Sequence, residues 1–467
     1  MSIAERYAAF CTNLTFDDLP EEVVERTKQL TLDAVGIAVG SMRAESTETF
    51  LAGTRTRNAG RDGATVLGTG EQMGPEYATL VNGALVHTLD YDDTHRAGSV
   101  HPGAPVIPAA LAAGEEVDAS GAELLTAIVA GYEITCRLSM AVNPASHYGR
   151  GFHMTGTCGL FGATAAAGML YGFDEDEFGA AFGLNGSQAA SSLQFLENGG
   201  WNKRAHPGLA GHSALLSTVF AEEGFAAASE PIEGVNGFLN GYSDDPHPEK
   251  ATAELGETFE LLNVAVKPYP CCRYMHAPLD TLFRLVEDEG IEPEDVESVT
   301  VNMASPGIDI TGNPTNTYPE SFVDCQFSMP FGAALALVHG DAGVDTFFEA
   351  FDDGDIDDEI RRLIDVTTVT EAEWIEDAYP ELWPAEVTVE TGSGTVSGRT
   401  EYAKGEPENP LSWDELVEKY EALTVPIMGE THADAAREAI ENLDSVSVAD
   451  LTDPYRAARQ EPAAADD

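Results

Sequence analysis

The chain has 467 residues, 43% of them apolar, and its 80 acidic side chains against 24 basic ones give a formal net charge of −56 at pH 7. That length exceeds what one hydrophobic core supports, so two domains are expected, and the apolar content excludes a disordered chain. So negative a surface repels nucleic acid and anionic membranes, which excludes both as partners.

Only six basic residues are lysines, at positions 28, 203, 250, 267, 404 and 419. The composition reads as that of a protein held in a cytoplasm of molar salt, where screening suppresses self-repulsion. Residues 1–15 carry acids and no apolar run of signal length, and the apolar stretch 153–171 is broken by His, Thr and Gly, so a cytoplasmic location is expected. The cysteines (11, 136, 158, 271, 272, 325) form no C-x-x-C pair and sit in core-like segments, which reads as reduced structural thiols.

From 19 to 40, LPEEVVERTKQLTLDAVGIAVG places apolar residues at helical spacing behind a proline at the helix start. Similar patterns predict helices at 74–90, 104–117, 120–143, 174–192 and 209–225, and Ala/Gly-rich 155–170 reads as a core helix; residues 1–264 therefore read as all helix. Beyond VKPYPCC the pattern changes. Segments 296–303, 385–392 and 394–402 alternate as strands do, with helices near 274–288 and 321–338. Helix returns at 411–423 and 431–442, and the chain ends in RQEPAAADD, too polar to pack. The expected fold class is mainly α: a large all-helical domain from 1–264 and 403–460, a smaller α+β domain inserted at 265–402, and a disordered tail at 461–467.

At the chain-wide average a 40-residue stretch would hold about seven acids, yet Ile134 to Phe173 has none. Asn198 to Ala221 and Leu261 to Leu279 are also free of them. These gaps hold Arg137, His147, Arg150 and His153; then Lys203, Arg204, His206 and His212; then Lys267, Arg273 and His276. Core helices exclude carboxylates anyway, which covers 155–170. It does not cover GGWNKRAHPG or KPYPCCRYMH, where clustered cations in loop-like segments are read as facing a bound anion with several carboxylates.

The densest group of reactive side chains is LDYDDTHRAGSVHPG (89–103), with Asp90, Asp92, Asp93, His95 and His101. Three readings stand: a metal site, a loop presenting Asp90, Thr94 and His101 to a substrate with a neighbouring aspartate setting the histidine tautomer, or aspartates that merely cap turns. Adjacent Asp92 and Asp93 point apart on any regular backbone, and the histidines lie six apart, which is poor ligand spacing. A three-cysteine iron–sulfur site has only Cys271 and Cys272 close in sequence.

NGALVHTLDYDDTHRAGSVHPGAPVIPAALA, GRGFHMTGTCGLFGATAAA, GGWNKRAHPGLAGHSA, VKPYPCCRYMHAPLD and AKGEPENPLSWDELVEKY, in this order over nearly the whole chain, resemble the MmgE/PrpD family. The resemblance implies a helical domain from both chain ends, an inserted lid domain, a homodimer, and an active site between the domains that uses no metal or other cofactor. It implies a lyase acting on a small di- or tricarboxylate: dehydration of 2-methylcitrate or a similar hydroxy acid in propionate metabolism, with decarboxylation of cis-aconitate or epimerisation of iminodisuccinate as alternatives. It places Asp90, Thr94, His101, His153, Lys203, His206 and Lys267 in the site. His101 and His153 are the expected acid/base pair, Asp90 their orienting partner, and Lys203, His206 and Lys267 the carboxylate clamps. Arg204, Arg273 and Cys272 are further substrate-binding candidates. The decarboxylase branch often carries histidine where Cys272 falls and tyrosine near Met329, and its Thr94-to-His101 spacing is one residue shorter, so dehydration is favoured.

Overall fold

The computed structural model describes residues 1–197, 200–313, 317–351 and 356–460. It is mainly α, with twenty-one α-helices among the described residues. The expected tail at 461–467 lies outside them. The chain divides into two compact units, Met1–Ala265 with Ser412–Asp467, and Val266–Leu411. Residues 403–411, expected in the helical domain, thus group with the α+β unit. Hydrogen bonds hold them there: Val266 N–H donates to the Gly405 carbonyl at 3.0 Å and Lys404 N–H to Asp280 at 2.6 Å.

In the first unit the two ends of the chain meet helix to helix. Glu21–Gly40 packs on Trp413–Met428, where a Cβ on Gly36 would come within 2.9 Å of the Tyr420 ring. Inside this contact Lys419 pairs with buried Asp33 and lies 3.6 Å from the Tyr91 ring centre. Gly121–Val142 starts at a reciprocal cap, Ser120 with Glu123, and packs on Met154–Leu170. It is long and apolar enough to cross a membrane, yet 94% of its most apolar window is buried within the unit, so it is a core helix here. Each buried side chain of the size of Leu125 or Phe161 contributes about 1.5–3 kcal/mol. All six cysteines are buried.

Three expectations shift in this unit. Helix 174–192 stops at Asn185, and the helix expected at 209 begins at Asn202, because Pro207 sits inside the helix rather than ahead of it. GGWNKRAHPG is therefore helical from Asn202 onward. Two-residue strand pairs also interrupt the all-helical reading: Ala64–Thr65 with Gln72–Met73, and Thr94–His95 with Val264–Ala265.

The second unit holds a four-stranded sheet in the order Thr367–Thr370, Val296–Asn302, Ala385–Thr391, Gly394–Thr400. The first pair is parallel and the others antiparallel. Helices His276–Glu289 and Met329–His339 pack with it over a core that includes Val299, Val301, Val387 and Val389. Strand Thr367–Thr370 is absent from the sequence reading. Four residues with two threonines in front of one valine carry too little alternation to register.

Candidate active site

Four helix termini in the first unit bring four imidazoles together. His87 is in the last turn of Pro75–Thr88, His101 stands two residues ahead of Gly103–Glu116, His153 caps the start of Met154–Leu170, and His206 lies early in Asn202–Glu222. Glycines set this convergence: a Cβ on Gly83 would lie 2.8 Å from the Gly208 backbone, so the helices carrying His87 and His206 cross at contact distance. The His87 ring stacks on His153 (5.5 Å between centres, 27°) and meets His101 edge-on at 4.9 Å, and the rings of His153 and His206 are 5.2 Å apart.

Each ring has a distinct partner. His101 Nδ1 lies 2.8 Å from the Asp93 carbonyl, which can only accept, so Nδ1 carries the proton and in the neutral ring Nε2 is the basic nitrogen. The Asp92 carboxylate is 3.5 Å from the same Nδ1. His87 Nδ1 is 2.7 Å from Asp92, and among the described residues its Nε2 has no hydrogen-bond partner. His153 and His206 share one hydrogen bond, Nδ1 to Nδ1, at 3.0 Å. Burial, then the neighbouring His87 and His206, hold His153 well below the ordinary histidine range; burial, then His87 and Lys203, bring His206 down to about 4. Both rings are neutral at pH 7, as a proton acceptor must be.

Around the rings lies a buried polar frame. Asp93 accepts from Tyr132 Oη at 2.6 Å and from Gly103 N–H at 3.0 Å, and burial still pushes its carboxyl up to about 7. Thr155 accepts from the His101 backbone N–H at 3.1 Å. Asp90, in the left-handed region at φ 50°, pairs with Lys203 at 2.6 Å.

Of the predicted residues, the first unit brings His101, His153 and His206 into one cluster. Lys203 lies near enough for its charge to act on His153 and His206. Thr94 Oγ1 stands 3.5 Å from His101 Nδ1, at the limit of hydrogen bonding. Asp90, expected to orient a histidine, instead meets Lys203, and the orienting groups are Asp92 and the Asp93 carbonyl. Arg204 points elsewhere: it bonds Ser46 and lines a cavity that none of the four imidazoles lines. His95, read as outside the site, bonds Glu260 at 3.1 Å.

In the second unit, Lys267 is buried just after the domain boundary, Cys272 N–H donates to the Gln326 carbonyl at 2.9 Å, and Arg273 pairs with buried Glu406. Arg137 and Arg150 also find carboxylates, Glu133 and Asp244, from outside their acid-free segments. A gap in sequence is thus not a gap in space. His87 and Tyr132 are the residues the sequence reading missed as site components, and the neighbouring aspartate it expected to set the tautomer, left unspecified there, is Asp92 together with the Asp93 carbonyl. His87 stood in the quoted motif, but nothing in one sequence marks the last turn of a helix as the place where four helices meet.

His87, Asp92 and His101 also form a possible metal-ligand group, with their atoms within 4.8 Å of one another. Two ligands at tetrahedral angles, about 2.0 Å from zinc, stand about 3.3 Å apart. His87 Nδ1 and Asp92 at 2.7 Å are closer than that, and the contact is a hydrogen bond.

The MmgE/PrpD N-terminal domain model matches residues 5–251 and the MmgE/PrpD C-terminal domain model residues 269–445. The chain belongs to the MmgE/PrpD family, whose members include lyases such as cis-aconitate decarboxylase. It is 26% identical over 459 residues to the cis-aconitate decarboxylase of Aspergillus terreus, covering 94% of this chain and 92% of that protein. To the human cis-aconitate decarboxylase it is 24% identical over 465 residues, covering 95% and 92%. A cis-aconitate decarboxylase-like protein of Aspergillus oryzae is 26% identical over 463 residues, covering 94% of each chain.

Proposed function

We propose that this chain is a hydro-lyase that removes water from a small hydroxy tricarboxylate of the 2-methylcitrate class, using histidines as acid and base. The observation that carries the reading is the pair of unlike imidazole environments in one cluster. His153 shares a hydrogen bond with His206 and is held neutral by burial, while His101 has a carboxylate 3.5 Å from its Nδ1. A base has to be neutral and an acid gains from a carboxylate beside its charged form, so the two environments suit opposite roles. In the proposed step His153, with Nδ1–H donated to His206, takes through Nε2 the proton from the carbon beside a substrate carboxylate. The carbon–oxygen bond breaks, the electron pair forms the double bond, and protonated His101 delivers its proton to the departing hydroxyl, which leaves as water. Asp92 stabilises the imidazolium form of His101. Lys203 is the proposed partner of a substrate carboxylate, and a homodimer in a high-salt cytoplasm is the proposed setting.

A second reading, decarboxylation of cis-aconitate, is favoured by the relatives at 24–26% identity. That reaction ends in protonation of a carbon and needs one proton donor rather than an acid and a base. Incubating the enzyme in molar salt with 2-methylcitrate, citrate and cis-aconitate, and following products by NMR and released CO₂, separates the two. Dehydration of a hydroxy acid supports the first reading; CO₂ from cis-aconitate alone replaces it with the second, and no turnover of any of the three overturns both.

A further inference from the structure

On the helical unit, between helices Glu45–Asn58, Pro75–Thr88 and Asn202–Glu222, lies a cavity of about 320 Å³. Its walls are mainly apolar, with Phe50, Tyr77, Leu80, Leu85, Trp201 and Leu209 prominent. Two arginines stand in this lining, Arg57 and Arg204. Arg204 is 7% exposed. Its Nη1 donates to Ser46 Oγ at 2.5 Å, whereas its buried Nη2 has no hydrogen-bond partner among the described residues. Neither arginine has a carboxylate within ion-pair distance among them; Glu45 and Asp90 act on Arg204 only from further away.

A buried guanidinium nitrogen without an acceptor is costly. In a chain with 80 acids and 24 bases, a carboxylate for it is the easiest partner to supply from within. None is supplied. A cavity of this size, mainly apolar with two guanidinium groups in its lining, has the make-up of a small-molecule site. The guanidinium sits 6.0 Å from the centre of the Trp201 ring, so a carboxylate held on Nη2 would carry its remaining atoms along an aromatic and aliphatic wall.

We propose that this cavity binds a small aromatic monocarboxylate, with its carboxylate on Arg204, assisted by Arg57, and its ring against Trp201 and Tyr77. The site is separate from the histidine cluster, although one helix serves both: Asn202–Glu222 sends Lys203 and His206 to the cluster and Arg204 to the cavity. Occupancy is therefore positioned to act on the helix that carries cluster residues.

The probe is phenylacetate, titrated into the full chain in molar salt and read by tryptophan fluorescence and by calorimetry. Saturable binding is expected. Phenylacetamide, which lacks the charge, and the Arg204→Gln variant should each bind at least about tenfold more weakly. His153→Gln should bind phenylacetate as the parent does, since the probe is placed outside the histidine cluster, and Trp201→Phe should lose most of the fluorescence change while keeping calorimetric binding. If Arg204→Gln fails to fold, Leu209→Trp, which fills the cavity from its exposed edge, should abolish binding instead. Equal affinity for acid and amide, undiminished binding by a folded Arg204→Gln, or loss of binding in His153→Gln would each overturn the proposal. So would the absence of saturable binding, as when a second copy of the chain covers the cavity.

Discussion

Replacing His206 by glutamine tests the electrostatics of the histidine pair with a number. The glutamine amide can keep a hydrogen bond to His153 but cannot take a proton in this range. Burial holds His206 at about 4, against 6.5 for the free side chain. In the unfolded chain His206 takes its proton at about 6.5, while the folded protein refuses it until about 4. Between these values the unfolded state binds more protons, so the stability this ring allows at neutral pH is lost as the pH falls. At about 1.4 kcal/mol per pH unit the gap amounts to about 3 kcal/mol. The raised carboxyls of Asp93 and Glu133, both at about 7, act in the opposite direction, but they are present in both proteins and cancel in the difference. Urea unfolding at pH 7 and pH 4, at constant molar salt, should show the parent losing about 3 kcal/mol more than His206→Gln. A difference that changes by less than about 1 kcal/mol would mean that the ring is not proton-averse, and the neutral His153–His206 pair would go with it.

His153→Gln should lower the catalytic rate by about 10²- to 10⁴-fold with little change in melting temperature, whereas His95→Gln, which replaces the buried imidazole bonded to Glu260, should cost stability and leave turnover nearly intact; a slow His95 variant beside an active His153 variant would place the chemistry elsewhere. Exhaustive chelation should leave activity unchanged, and activity that vanishes and returns only with added metal would show that His87, Asp92 and His101 open to hold an ion. The melting temperature should rise steeply with salt, because at about 0.01 M the Debye length is about 30 Å and the 80 acids repel across the surface; a flat series would show that the charge is already compensated internally.

Long apolar periodicity carried most of the fold into the sequence. Glu21–Gly40, Gly103–Glu116 and Gly121–Val142 lie within a residue or two of their predicted bounds, because a 14- to 22-residue amphipathic or fully buried helix repeats its signal several times. Ile3–Asn13, Glu45–Asn58 and Val448–Gln460 fall in the segments read as helical but were given no helix bounds of their own. Glu45–Asn58 shows why: ESTETFLAGTRTRN has few apolar residues to mark a buried stripe, and its helicity depends on packing against Pro75–Thr88. Pro207 misled in the opposite sense. It lacks the N–H that would bond back to Lys203, a loss the first turns of a helix tolerate better than its middle, so the helix starts ahead of it and delivers Lys203 and His206 on a regular backbone.

The site was legible at the level of residue type and less so at the level of partnership. A sequence shows that Asp90, Asp92 and Asp93 are near one another along the chain, but which of them faces a histidine depends on one backbone angle. Asp90 sits in the left-handed region, ends the helix that carries His87, and sends its carboxylate to Lys203; the chain then turns so that Asp92 returns to His87 and the Asp93 carbonyl reaches His101. Three aspartates within four residues therefore have three different tasks: one neutralises a lysine, one orients an imidazole, and one anchors the loop through Tyr132 and Gly103 while lending its carbonyl. The acid-free segments follow a related logic. They hold cations whose partners come from elsewhere in the chain, as Asp90 does for Lys203 and Glu406 for Arg273, so their diagnostic value lies in the exceptions. Arg204, buried with a nitrogen that has no hydrogen-bond partner among the described residues of a chain so rich in carboxylates, is such an exception, and it bonds Ser46 rather than a group of the histidine cluster.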